Sequence, residues 1–435
     1  MSSLNVKKWL KLLGAVFVLS ELTAVITGPP GNPTHPWEGF HGSIVDQASF
    51  LGLFTTQRWA AFFVYGLIVS GAAYVFRTQK QFITRVGGAR RTVTSNKTVK
   101  FTFSLATIVL VVLLPTLVSD PFWQNAMVSQ IGVYVLLALG LNVVVGFAGL
   151  LDLGFVAFYA VGAYATAWCT GALPLPALFG IHLNPFYAIP VAIILAMVSG
   201  IILGIPTLRL RGDYLAIVTL GFGEIITLFA NNLNGITGGA MGTAQVPHFS
   251  VHVGPVNYIW GIPPVPYYYL TIAFVGLFIV AFSLLEHSRV GRAWTAIRED
   301  EIAAESVGIN PLKYKVMAFA IGAASAGFAG VMTAAQTNYV TPATFTLALS
   351  INILVLVIFG GMGSIIGVVF GAVVIQTITM YLIHNPPAGY QPQDLYIYIG
   401  ALLVIMMIFR PAGLFPARRR HRADSDASRL EDSNV

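Results

Sequence analysis

RVGRAWTAIREDEIAAESVGINPLKYK, residues 289–315, places five basic and four acidic residues between two long apolar runs that contain no Lys or Arg. An island of this charge has to lie in water, because each such group costs about 3 kcal/mol at the centre of a helix in hydrocarbon. Its order also carries helix punctuation. Asp300 is placed to N-cap a short helix over Glu301 to Val307, Gly308 stands where a C′ glycine ends one, and Asn310 followed by Pro311 restarts a helix by cap and first-turn proline. Ala293, Ala296, Ile297, Ala304 and Val307 fall on one side at helical spacing, with Asp300 interrupting the stripe. Two readings fit: a short helix lying across a membrane surface, or an ordinary solvated loop on the side where positive charge collects.

The surroundings of the island fix the class. The chain has 435 residues, 56% hydrophobic and only 9% charged, with mean hydropathy +0.77; a soluble domain carries about 25% charged residues. A bilayer core of about 30 Å takes about 20 apolar residues as a helix, and runs near that length recur along the sequence. They are unbroken and not alternating, so the spans are helices and the fold class is all-α, a polytopic membrane helix bundle. Spans are expected at 12–26 and 59–76, and then at 101–118, 127–146, 150–170, 186–205, 214–232, 270–286, 316–335, 348–361, 364–383 and 394–410. Residues 12–26 also suit a signal peptide's apolar region, but Gly28-Pro29-Pro30 offers no small-x-small cleavage site, which favours a retained span.

Charge placement orients these twelve spans. The net charge is +7, yet every Lys and Arg except Arg58 lies in clusters at Lys7 to Lys11, Arg77 to Lys100, Arg209 with Arg211, Arg289 to Lys315, and Arg410 to Arg429. Even numbers of spans separate the clusters, so all are cytoplasmic, as are both termini; the pattern serves a lipid bilayer and no nucleic acid. The organisation expected is a two-span extension with a basic linker over 1–100, a core over 101–415 and a polar cytoplasmic tail over 416–435. Cys169 is the single cysteine, so no disulfide within the chain is possible.

Glycines carry the packing signals. Gly363, Gly367 and Gly371 recur every four residues, as do Gly322, Ala326 and Gly330, giving small faces on which helices approach closely. The glycine-broken pairs Gly146-Phe147-Ala148-Gly149 and Gly360-Gly361-Met362-Gly363 are places for a broken or re-entrant helix. The segments 142–149 and 352–361 share an Asn, an aliphatic run and glycines, a faint internal repeat. The loop 233–269 has no Lys or Arg, and its Tyr258, Trp260 and Tyr267 to Tyr269 suit an outer interfacial belt.

Catalytic chemistry is hard to find in this sequence. It contains no G-x-x-x-x-G-K-[ST], no H-E-x-x-H and no G-x-S-x-G, so there is no Walker loop, helical zinc pair or nucleophile elbow to argue from. Residues 361–367, GMGSIIG, miss G-x-G-x-x-G by one position and read as helix packing. What remains is a sparse polar set at membrane depth: Asn142, Asp152 and Glu224, each expected to face the bundle interior or a wet path. For Glu224 a pathway role and a helix–helix hydrogen bond stay open, and Asp213 beside Arg209 and Arg211 reads as a structural ion pair. The Thr237-Gly238-Gly239 turn offers backbone groups near the outer mouth, as any tight turn would.

At this point four strings resemble one family. RLRGDYLAIVTLGFGEI at 209–225, ITGG at 236–239, GRAWTAIREDEIAAESVGI at 291–309 and FGGMGS at 359–364 closely resemble the LivM-type permeases of bacterial branched-chain amino-acid ABC importers, over roughly residues 101–415. The resemblance implies a type II importer permease fold with ten core spans in the bacterial cytoplasmic membrane, a transporter subunit and not an enzyme. It implies that the island docks on an ATPase, with Glu301, Ala303, Ala304 and Gly308 carrying the EAA-type signature and Arg292 and Arg298 upstream of it. No cofactor is then expected on this chain, ATP-Mg being held by two ATP-binding subunits; the other expected partners are a second homologous permease and an extracytoplasmic amino-acid binding protein. The translocation pathway is expected among Asn142, Asp152, Glu224, Thr237, Gly238 and Gly239. A permease for urea or short amides is the nearest alternative on substrate. A passive channel or ion-coupled carrier, and a membrane enzyme, are alternatives of other classes.

Overall fold

The computed structural model describes residues 109–384 apart from 110, 119, 178–179, 181, 208–212, 254–255 and 262, together with parts of 399–415. The two N-terminal spans, the basic linker, half of the span at 101–118, most of that at 394–410, the polar tail and the side chains of Arg209, Arg211 and Asp213 lie outside the described residues.

The described residues are mostly helical, with seven helices long and apolar enough to cross a membrane. The first, α1, runs Pro121–Phe147 and contains two π-helical turns, Met127–Gly132 and Asn142–Phe147. It is followed by α2 Phe155–Thr170, α3 Pro185–Thr207, α4 Asp213–Asn232 and α5 Pro264–His287. Two short helices, α6 Arg289–Glu299 and α7 Glu301–Ser306, precede α8 Pro311–Thr337, α9 Leu347–Gly360 and α10 Ile365–His384. Proline opens α1, α3, α5 and α8, where its missing N–H falls on a position that has no partner within the helix. This is why α5 and α8 begin before the apolar runs that mark them in the sequence.

Helix α8 lies at the centre, against α1, α2 and α3. Its glycines permit backbone-to-backbone approach: a Cβ built on Gly162 of α2 would lie 2.2 Å from the carbonyl oxygen of Gly327, and one on Gly330 would lie 2.5 Å from the Tyr159 oxygen and the Ala163 nitrogen. From the other side, Ala188, Ala192, Ala196 and Gly200 form a buried stripe on α3, while Tyr187, Ile194 and Ile202 on its opposite face are exposed. Lipid chains are as apolar as leucine, so close fitting of this kind has to hold the helices together. Gly367 and Gly371 of α10 likewise press on Gly360 of α9, whereas Gly363 leaves that row and takes φ +82° in the intervening turn.

Each glycine break joins a long helix to a shorter one. At 1.5 Å per residue, α2 with 16 residues falls short of the roughly 30 Å of a bilayer core, and it is buried nearly all round by its neighbours, which removes it from lipid; α9 with 14 residues reaches spanning length together with the turn before it, over Pro342–Gly360. Two small antiparallel ribbons, Thr243–Ala244 with Tyr339–Val340 and Ser250–Val253 with Val256–Ile259, join the loops at the end of the bundle opposite the island.

Candidate functional site

The island folds as an elbow, α6 then α7, with every turn closed locally. Ser288 caps α6, its Oγ accepting from the amides of Val290 and Gly291 at 3.1 and 3.3 Å. Asp300 caps α7, its Oδ1 accepting from Ile302 and Ala303 at 2.9 and 3.0 Å. Gly308 takes φ +87° and donates its N–H to the Glu305 carbonyl, while Ile309 donates to Ala304. Asn310 then caps α8 through Lys313 N at 3.1 Å, with Pro311 in the first turn.

The apolar stripe divides at Asp300. Ala293 and Ile297 are buried, as is Trp294, which stacks on Phe147 at 6.3 Å and donates its indole N–H to the Tyr314 carbonyl at 2.7 Å. Ala304 is buried in α7, but Val307 is 76% exposed and so leaves the stripe expected of it. Ile302, 79% exposed, joins Val307 and the exposed Ala303 at the tip of the elbow. Beside this tip the buried Lys315 ammonium meets Glu301 at 2.6 Å, which fixes α7 against the start of α8.

Arg298 points the other way. Its Nη1 donates to the Gly146 carbonyl in the second π turn of α1, and its aliphatic stem lies where a Cβ on Gly149 would be, 2.6 Å away. On the other side of that turn, Asn142 Oδ1 accepts from Gly363 N at 2.9 Å, and Gly146 abuts Gly363 so closely that a Cβ on it would lie 2.5 Å from the Gly363 nitrogen. The two segments that look alike in the sequence, 142–149 and 352–361, thus end side by side, and Arg298 ties the elbow to their junction. Arg292 is exposed and donates to the His287 carbonyl at 3.1 Å.

The pathway candidates are spread over the molecule. Asn142 and Asp152 sit at the island end, both buried; Asp152 occupies the turn before α2, where its Oδ1 accepts from Gly154 N at 2.9 Å and the adjacent Leu153 N donates to Thr219 Oγ1 of α4. Glu224 is exposed on the outer face of α4 together with Ile217 and Leu228. Thr237, Gly238 and Gly239 lie at the far end, where Thr237 Oγ1 donates to the Ala230 carbonyl and accepts from Gly239 N. Among the described residues no side-chain hydrogen bond joins these three groups to one another. Sequence reasoning missed Ser288, which stands three residues before a helical glycine, and the partner of Arg298, which lies far away in the chain.

Residues 125–409 match the family described as branched-chain amino acid transport system / permease component. The high-affinity branched-chain amino acid transport system permease protein LivM of Escherichia coli strain K12 is 39% identical over 341 residues, covering 73% of this chain and 75% of that protein. The probable branched-chain amino acid transport permease protein LivM of Methanocaldococcus jannaschii is 28% identical, covering 66% of this chain and 91% of that one. LivH of Salmonella typhimurium, a high-affinity branched-chain amino acid transport system permease protein, is 23% identical over 65% of this chain and 90% of its own length.

Proposed function

Because the chain belongs to the family of branched-chain amino acid transport permeases, we propose that it is the membrane-spanning permease subunit of an ATP-driven, binding-protein-dependent importer of leucine, isoleucine and valine. The elbow carries this reading. An apolar tip of Ile302, Ala303 and Val307, held out by two capped turns and an ion pair, has the form of a projection made to seat in a partner's groove. The partner is an ATP-binding subunit, one of two, that holds the ATP-Mg for which this sequence has no cradle. Motion of the ATPases reaches the elbow and passes through Arg298 to the junction of α1 and α9, so that hydrolysis alternates access across the bundle.

The finer architecture follows the same reading. The chain is a type II permease with ten core spans over 101–415, two further spans in the 1–100 extension, a cytoplasmic tail and both termini in the bacterial cytoplasm. Glu224 supports a second permease: a carboxylate at mid-helix on an otherwise apolar exposed face is too costly to leave against lipid, so that face is covered by the homologous subunit or by the wet path between the two. An extracytoplasmic binding protein delivers the amino acid to the far-end loops. Proteoliposomes containing the full complex should accumulate L-leucine only with ATP inside and the binding protein outside. Equal entry without ATP would replace this reading with a channel, and uptake of urea without leucine would move the chain to an amide-importing branch.

A further inference from the structure

At the end of the bundle opposite the elbow, α1, α2, α8 and the segment 339–349 line a partly open cavity of about 270 Å³ with no Lys, Arg, Asp or Glu among its described lining residues. Its lining mixes apolar side chains, among them Leu137, Phe345 and Leu349, with the neutral polar groups of Gln130, Tyr159 and Thr333.

Size and lining together narrow the occupant. Small-molecule pockets run from about 300 to 1,000 Å³, and water occupies about 30 Å³ in the liquid, so the space takes about nine waters or one compact metabolite. Hydroxyl groups both donate and accept, and a wall of them serves an ammonium and a carboxylate at once, where a fixed charge would serve one and hold it. Tyr159 Oη donates to Thr333 Oγ1 at 2.8 Å, which turns the threonine's own hydrogen toward another acceptor. Phe345 stands edge-on to Tyr159 at 5.1 Å, so an apolar and a polar lining group meet there.

The backbone around the cavity is irregular on two sides. Gln130 comes from the π turn Met127–Gly132, a departure from helical hydrogen bonding that recurs at functional sites. The roof is the chain after α8: Asn338 takes φ +56°, and Tyr339 Oη donates to the Met241 carbonyl in the loop that follows Thr237-Gly238-Gly239.

We propose that this cavity is a transit site for the amino acid within this subunit, the zwitterion resting on the hydroxyl wall and the aliphatic side chain on Leu137, Phe345 and Leu349. The assignment rests on the transport reading above and adds where the substrate pauses. With no charge among the described lining residues the site holds its ligand weakly, which suits passage.

The test uses the complete complex with its ATPases and binding protein. Ala163 lines the cavity and is buried, so Ala163→Phe puts a ring into it; uptake of L-leucine should fall at least tenfold while ATPase activity stimulated by the binding protein persists. Thr337, which also lines the cavity and is exposed, provides a second arm that does not depend on that variant assembling. In a Cys169→Ser background, modification of Thr337→Cys by a small thiol reagent should be slowed severalfold by L-leucine and not by urea. Absence of leucine uptake by the wild-type complex would overturn the transport reading itself. Wild-type uptake accompanied by undiminished uptake in Ala163→Phe, or by labelling indifferent to leucine, overturns the transit site alone, as does protection by an alkyl-chain detergent in place of leucine.

Discussion

Replacing Arg298 with Met should loosen the joint between the elbow and α1 while leaving the helices packed. Met keeps an unbranched stem against Gly149 but removes the donor to the Gly146 carbonyl. A hydrogen bond from a charged group contributes about 1.5–3 kcal/mol. Arg298 is exposed, so water recovers part of that loss and about 1 kcal/mol remains. Since about 1.4 kcal/mol is a factor of ten, the open state of the joint should become roughly fivefold more populated. Amide hydrogen exchange reads this directly: residues 146–150 should exchange roughly fivefold faster, the remainder of α1 and α8 should be unchanged, and ATP hydrolysed per leucine imported should rise. Arg298→Lys, which keeps a cationic donor without the planar fork, should recover part of the coupling. Unchanged exchange at 146–150 together with an unaltered ATP-to-leucine ratio would refute the joint, and general loss of protection across α8 would show that Arg298 supports the fold instead.

Other positions give separable outcomes. Gly308 sits at φ +87° with open space around a built Cβ, so Gly308→Val should cost roughly 1–2 kcal/mol of backbone strain alone; transport should fall with membrane insertion intact, as membrane yield and uptake measured together will tell. Gly162→Val has no such space, its Cβ meeting the Gly327 oxygen at 2.2 Å, and should lower the melting temperature in detergent by overpacking of at least about 1–3 kcal/mol. Gly221→Ala, with nothing within 4 Å, should leave that temperature unchanged or raise it slightly, because alanine is the better helix former by about 1 kcal/mol. For topology, in a Cys169→Ser background, Val307→Cys should react with impermeant thiol reagents only from the cytoplasm and Met241→Cys only from outside; both parent side chains are exposed, at opposite ends of the bundle, and labelling of both from one side would contradict the assigned orientation.

The sequence by itself determined whatever a residue settles with its near neighbours or with the solvent around it. The spans were legible because each hydrogen-bonded helix in lipid announces itself by apolar length, and eight of the expected spans coincide with described helices. Asp300, Gly308 and Asn310 were legible because a cap closes within a few residues of its own position. Tertiary structure decided which faces meet. Arg298 and Gly146 are 152 residues apart, Asn142 and Gly363 are 221 apart, and nothing local distinguishes those partners from others of their type. Apolar residues hide the same choice: Ile194 of α3 faces outward while Ala192 is buried, yet both read as membrane sequence, since lipid and helix interior are equally apolar. Val307 was placed inward by spacing, but α7 ends at Ser306 and the chain turns away there. The cavity left no trace in the sequence because its wall is drawn from α1, α2, α8 and the 339–349 segment, and only their packing brings separate hydroxyls to one space.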